Sequence, residues 1–148
     1  SAIEREAMTP VFRATNDRTF AETLIRRNMT AYYERLGWHW DTQLFAKQWG
    51  EMDSIELCVN TSRVGLLCLY RDDTAYDIRE LQIDPPWQRR GLGTAAIHYV
   101  EDLARQADVT SLRLRVFRIN PARHLYQRLG FRVCQTDSDV ITMQRTLR

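Results

Sequence analysis

The chain has 148 residues, 44% of them hydrophobic and 27% charged, and its net charge is +2. That length suits one domain with a proper core, and the composition is that of an ordinary globular protein. A charge so near zero argues against general nucleic-acid binding, and no apolar run approaches the length of a membrane span.

Residues 1–7 form a polar lead-in ahead of Met8, a candidate start, and residues 1–10 are expected to stay outside the packed domain. Val11 to Ala14 reads as a short strand. Asn16 or Asp17 offers a helix cap, and Ala21, Ile25, Met29, Tyr32 and Leu36 then recur at helical spacing until Gly37 stops the run. Trp38, His39 and Trp40 make an aromatic connector, and Asp41 caps a second helix to Trp49. Strands are expected at residues 55–59, 64–70 and 75–83, with turns at residues 60–63 and 71–74. A helix follows from Leu92 to Gln106, with Leu92, Ala96, Tyr99, Leu103 and Ala107 on one face. Leu112, Leu114 and Val116 alternate with arginines, the pattern of a strand. Pro121 opens a last helix at its first position, Gly130 closes it, and strands at residues 131–136 and 140–146 end the chain. The order is β-α-α-β-β-β-α-β-α-β-β: a single α+β domain with a mixed sheet.

Cys58, Cys68 and Cys134 lie in apolar runs without ligand spacing. They are expected as buried thiols of a reducing, cytoplasmic compartment. His39, His98 and His124 stand apart from acids and cysteines, so no metal site is expected.

The segment from Ile83 to Thr94 carries the chemistry. A strand runs through Pro85 and Pro86 into Gln88-Arg89-Arg90-Gly91-Leu92-Gly93-Thr94 and directly into a helix. Glycines allow close backbone approach, helix-start N–H groups point at a ligand, and the dipole there favours negative charge. Arg89 and Arg90 add side-chain charge. This spacing suits a pyrophosphate, though it also suits a plain tight turn. It lacks the Lys-Ser/Thr of a P-loop and the third glycine of a dinucleotide fingerprint.

A second motif, Asn120-Pro121-Ala122-Arg123-His124-Leu125-Tyr126-Gln127-Arg128-Leu129-Gly130-Phe131, follows about thirty residues later. Together the two resemble the GNAT superfamily of acetyl-CoA-dependent N-acetyltransferases, along nearly the whole chain. The resemblance implies a mostly antiparallel sheet of six to seven strands with about four helices. It implies that Gln88, Arg89, Arg90, Gly91, Leu92, Gly93 and Thr94 cradle the pyrophosphate of acetyl-CoA. It further implies that Leu81, Gln82 and Ile83 lie along the pantetheine arm as if pairing with an added strand, and that a bulge opens the cleft. Tyr126 resembles the tyrosine that protonates the departing thiolate; its bland alternative is a packed aromatic. Asn120 is expected to touch the pantetheine arm, cap its helix, or both.

Acyl transfer to an amine also needs a base, because a free alkyl amine is protonated at neutral pH. Glu80 is the first candidate and Asp77 the reserve. Acetyl transfer is expected to be direct, with Cys68 and Cys134 in the core. The resemblance places the acceptor site at the first two helices and their connector, where Tyr32, Tyr33, Trp38, His39 and Trp40 lie with Glu34, Asp41 and Glu51 nearby. Tyr32, Trp38, Trp40 and Glu80 are the expected substrate contacts, for an amine with an apolar or aromatic body. Trp38 and Trp40 have an equal alternative, pinning the helix pair to the sheet. A CoA-binding regulatory module without turnover is the competing function. Nucleic-acid binding through Arg113, Arg115, Arg118 and Arg123 is disfavoured, and a homodimer through the terminal strands is open.

Overall fold

The computed structural model describes residues 9–147, so the lead-in at residues 1–7 and the start at Met8 lie outside the described residues. The elements are β1 (Val11–Ala14), α1 (Arg18–Leu36), α2 (Thr42–Trp49), β2 (Asp53–Val59), β3 (Ser62–Arg71), β4 (Ala75–Ile83), a 3₁₀ turn (Pro85–Trp87), α3 (Leu92–Gln106), β5 (Ser111–Phe117), α4 (Ala122–Arg128), β6 (Arg132–Asp137) and β7 (Val140–Thr146). The seven strands form one sheet in the order β1-β2-β3-β4-β5-β7-β6. Every neighbouring pair is antiparallel except β4 and β5, which run parallel.

Local chemistry sets the helix ends. Asp17 caps α1 by accepting the Phe20 N–H at 3.0 Å. Gly37 ends it in the left-handed region at φ +73°, and the Trp38 N–H returns to the Tyr33 carbonyl at 2.8 Å. That return fixes where Trp38 leaves the helix. Asp41 caps α2 through Leu44 N–H at 3.0 Å. Among the described residues no helix is long and apolar enough to cross a membrane.

The sheet has two covered faces. On one, Leu57, Val59, Val64, Leu67, Leu69, Ile78, Leu112, Leu114, Ile141 and Met143 pack with Leu92, Ala96, Ile97 and Val100 of α3. On the other, Leu66 and Cys68 of β3 pack with Ala21, Leu24 and Ile25 of α1 and Phe45 of α2. Each such leucine or isoleucine removed from water contributes about 1.5–3 kcal/mol. Glu101 of α3 is buried but hydrogen-bonded by Arg145 of β7, so its charge is paired.

Two expectations need correction. Ser62 and Arg63 belong to β3, since the turn needs only Asn60, at φ +54°, and Thr61. Pro121 has helical angles, φ −64° and ψ −13°, and leads into α4 as expected, while Asn120 Oδ1 caps it by accepting the Ala122 N–H at 2.9 Å. Cys134 is exposed, unlike Cys58 and Cys68. It sits on edge strand β6, whose residues are all exposed.

Candidate active site

A one-residue irregularity in β4 builds the site. Cys68 lies opposite Glu80 and Leu69 opposite Ile78, so Arg79 has no counterpart on β3. Strand side chains alternate, and one extra residue turns all that follow to the other face. Tyr76 and Ile78 therefore face the α3 side, and so do Leu81 and Ile83. Glu80 and Gln82 face α1, opposite Cys68 and Leu66. Without the bulge, Glu80 would point under α3 into the larger apolar core.

The bulge also marks where β4 leaves β5. The two pair only through residues 75–78 and 111–114. Beyond that they part around a cleft of about 1090 Å³, lined by residues 78–83 of β4 and 114–117 of β5, by α1, and by the starts of α3 and α4. The inner edge of β4 thus faces the cleft without a partner strand among the described residues. Backbone polar groups demand partners, so this edge can receive an extended ligand.

One end of the cleft is made of backbone. Arg89 at φ +63° and Gly91 at φ +82° turn the chain so that α3 starts facing the cleft. The first helical bond is Ala95 N–H to the Gly91 carbonyl at 3.0 Å, and no side chain caps the start. The N–H groups of Leu92, Gly93 and Thr94 precede that bond and are donors for an anion. Gly91 and Gly93 are glycine for different reasons. A Cβ on Gly91 would meet nothing within 4 Å, so its backbone angle is what matters; one on Gly93 would meet Leu125 Cδ2 at 2.9 Å.

The middle holds two titratable groups. Burial pushes the Glu80 carboxyl up to about 7, against a hydrogen bond from Gln82 Nε2 at 3.4 Å. Burial, reinforced by Glu80, raises the Tyr126 phenol above its ordinary range and so keeps it protonated at neutral pH. Tyr126 comes from α4 and packs edge-on against Phe131 at 5.9 Å. Tyr33 of α1 is raised by the same two causes.

The other end is aromatic. Tyr32 and Tyr33 of α1, Trp38 of the connector and Phe117 of β5 line it. Trp38 stands edge-on to Phe117 at 4.9 Å, and its Nε1 donates to Asp139 Oδ2 at 3.2 Å. Tyr33 also meets Phe117 edge-on, at 5.8 Å.

Of the residues singled out in the sequence, Tyr32, Trp38, Glu80, Leu81, Gln82, Ile83, Gln88, Arg89, Gly91, Leu92, Gly93, Thr94, Asn120 and Tyr126 all line this cleft. Trp40 and Arg90 do not. Trp40 donates to Glu22 Oε2 at 2.6 Å and packs on Phe45 at 5.2 Å, which ties α2 to α1. The Arg90 guanidinium lies 5.5 Å over the Trp87 ring. The reserve base Asp77 pairs with Arg79 at 3.1 Å and Arg113 at 3.9 Å and is not part of the lining. Sequence reasoning missed Phe117 and Asn28. Asn28 Nδ2 donates to the Ile83 carbonyl at 2.9 Å and to Gln82 Oε1 at 3.1 Å. Its signal was a polar residue four after Leu24 and three after Ile25, on the buried face of α1. Phe117 gave no signal beyond ending an apolar strand.

The chain belongs to the acetyltransferase (GNAT) family, whose sequence model matches residues 16–131. Over 62 residues it is 34% identical to the streptothricin acetyltransferase of Streptomyces lavendulae, an overlap of 41% of this chain and 33% of that one. The chain thus spans about a third of the length of that curated relative. Its fold is similar to that of a GNAT family acetyltransferase from Elizabethkingia anophelis with acetyl-CoA bound, at TM-score 0.75 and 16% identity over 94% of this chain and 99% of that one. It is also similar to the PaiA N-acetyltransferase of Thermoplasma acidophilum in complex with coenzyme A, at TM-score 0.74 and 14% identity over 93% and 98%. At these identities the likeness is one of fold.

Proposed function

We propose that the protein is an N-acetyltransferase that moves the acetyl group of acetyl-CoA to a primary amine within one ternary complex. The observation that carries this reading is the pairing of an ionisable carboxyl, Glu80, with a protonated phenol, Tyr126, in a cleft that ends at the uncapped start of α3. The helix start and residues 88–94 receive the pyrophosphate through backbone N–H groups. The open edge of β4, at Leu81, Gln82 and Ile83, receives the pantetheine arm, with Asn120 beside it. A backbone N–H of that edge polarises the thioester carbonyl.

Ionised Glu80 takes a proton from the acceptor ammonium, directly or through water. The neutral nitrogen attacks the thioester carbon, forming the C–N bond as the C–S bond breaks. The Tyr126 O–H supplies a proton to the departing sulfur, the attacking nitrogen sheds its second proton to solvent, and Tyr126 and Glu80 exchange protons with solvent to regain their resting states. Cysteine chemistry is not used: Cys68 is buried and pushed up to about 12, mainly by burial, and exposed Cys134 is not part of the cleft lining. The aromatic end suits an amine with an apolar or aromatic body, held by Tyr32, Trp38 and Phe117.

The test is a panel of amines with acetyl-CoA, followed by free-thiol release. Acetylation of amines that carry aromatic or apolar bodies is the expected result. Acetyl-CoA binding with no turnover across a broad panel would favour the regulatory module instead.

A further inference from the structure

Glu80 does not stand alone on its face of β4. Gln82, two residues on, points the same way and donates from Nε2 to Glu80 Oε2 at 3.4 Å. Gln82 Oε1 in turn accepts from Asn28 Nδ2 at 3.1 Å, and that same Nδ2 donates to the Ile83 carbonyl at 2.9 Å. The direction of this chain is forced. A backbone carbonyl only accepts, so Asn28 must turn its NH₂ toward Ile83 and hence toward Gln82. Gln82 must then turn its oxygen to Asn28 and its NH₂ to Glu80. Gln88 Nε2 also donates to the Ile83 carbonyl, at 2.9 Å, so both lone pairs of that anchor are taken.

We propose that Asn28 and Gln82 are positioning residues for the proton acceptor of the reaction: a one-way relay from the Ile83 carbonyl through both amides that aims a donor at Glu80 and favours its ionised form. The inference rests on the reading of Glu80 as base. The relay crosses from α1 to β4, so the helix that shapes the acceptor end also sets the state of the carboxylate. An Arg27–Asp84 ion pair at 2.7 Å, between the residue before Asn28 and the residue just past the end of β4, fastens the same junction.

The other groups around Glu80 do not supply a charge that favours its ionised form. Tyr33 from α1, Tyr126 from α4 and Cys68 from β3 are neutral at pH 7, and each is raised further by Glu80's charge. Of the guanidiniums lining the cleft, Arg27 is held by Asp84 and Arg79 by Asp77, and Arg89, Arg115 and Arg128 come from the loop before α3, from β5 and from α4; none of them shifts Glu80. Gln82 is the group that hydrogen-bonds the carboxylate itself. A hydrogen bond to a charged group is stronger than one between neutral groups.

The test is the titration of Glu80 in the resting protein, followed by carbon NMR of its carboxyl and assigned by loss of the signal in Glu80→Gln. The pH profile of acetyl transfer is measured in parallel. Gln82→Met keeps the shape of the side chain and removes the donor, and should raise the midpoint by about one pH unit. Asn28→Ala should raise it in the same direction, because Gln82 is then free to turn its oxygen toward Glu80. Asn28→Ser, which keeps a polar group but cannot span both acceptors, serves if the alanine variant does not fold. The double variant should shift no further than Gln82→Met alone, since Asn28 acts through Gln82. At pH 7 each single variant should lose about fivefold in rate and recover it near pH 9. An unmoved midpoint in the Asn28 variants, or shifts that add, would overturn the relay. The base reading fails separately: it falls if Glu80→Gln leaves the pH profile of the rate intact, whatever the NMR midpoints do.

Discussion

The two ends of the cleft are built from different materials. The α3 end presents backbone: two left-handed residues, Arg89 and Gly91, and the N–H groups of an uncapped helix. The aromatic end presents side chains drawn from α1, the connector after it and β5, with Trp38 held in turn by Asp139 in the β6–β7 turn. A backbone site needs glycine at fixed spacing, so it writes itself into a short stretch of sequence. A side-chain site is assembled from residues up to a hundred positions apart, and many sequences can make an aromatic wall. The contrast explains why residues 88–94 stood out as one stretch of sequence, while the aromatic wall was read only in part: Tyr32 and Trp38 line the cleft, Trp40 does not, and Phe117 was missed.

Between the two ends lie the proposed base and acid, and removing them should have the largest effect. Glu80→Gln should lower turnover by about 10²–10⁴-fold and leave acetyl-CoA affinity unchanged. The wild-type rate should rise with pH and level off above about 7, where the carboxyl is ionised; the variant should lose that rise. Stability runs the other way. The folded state holds the Glu80 proton more tightly than the unfolded chain, so stability declines as pH rises from 4.5 through about 7. Glu80→Gln should therefore melt higher than wild type at pH 8, with the gap closing below pH 4.5. A calorimetric series showing the gap widening toward acid would contradict the burial that places Glu80 in the cleft.

Tyr126→Phe comes next. It keeps the ring against Phe131 and removes the O–H, so turnover should fall by at least about tenfold while acetyl-CoA binding holds. An unchanged rate would return Tyr126 to the role of a packed aromatic. At the backbone end, Gly91→Ala forces a side chain into the left-handed region at a cost of about 1–2 kcal/mol. Nothing lies within 4 Å of the added Cβ, so the effect should appear as roughly a tenfold loss of acetyl-CoA affinity, not as a packing defect. Gly93→Ala should do less, because the atom it meets is the tip of Leu125, a side chain able to give way. Equal titration curves for wild type and Gly91→Ala would deny the loop its pyrophosphate.

The strands and helices were legible almost to the residue, because their punctuation is local: Asp17 and Asp41 as caps, Gly37 and Gly130 as stops, alternation in β5. The bulge was legible in principle. Tyr76, Ile78, Leu81 and Ile83 are spaced by two, three and two, and an odd step in a strand's apolar rhythm is what an extra residue produces. Asn28 was passed over because a helical pattern is read for its apolar positions, and a polar residue on that face counts as noise until the strand opposite is known. Cys134 misled because an apolar run does not reveal that its strand lies at an exposed edge.

The smallest expected effects test the aromatic end, where Trp38 and Trp40 looked equivalent in sequence and are not in space. Both ring nitrogens donate to carboxylates, Trp38 to Asp139 in the β6–β7 turn and Trp40 to Glu22 of α1. Trp38 lines the cleft and Trp40 lies behind α1, where its ring meets Phe45 of α2. Trp38→Ala should therefore raise the KM for a bulky amine a few-fold, with kcat and acetyl-CoA affinity little changed, since it removes contact area remote from the reacting atoms. Trp40→Phe keeps most of the packing and takes one donor from Glu22, which retains Thr42 at 3.1 Å. It should lower stability by about 1 kcal/mol and leave KM where it was. If Trp40→Phe raises KM as much as Trp38→Ala does, the pinning of α2 on α1 is itself part of acceptor binding, and the aromatic end extends behind the wall that lines the cleft.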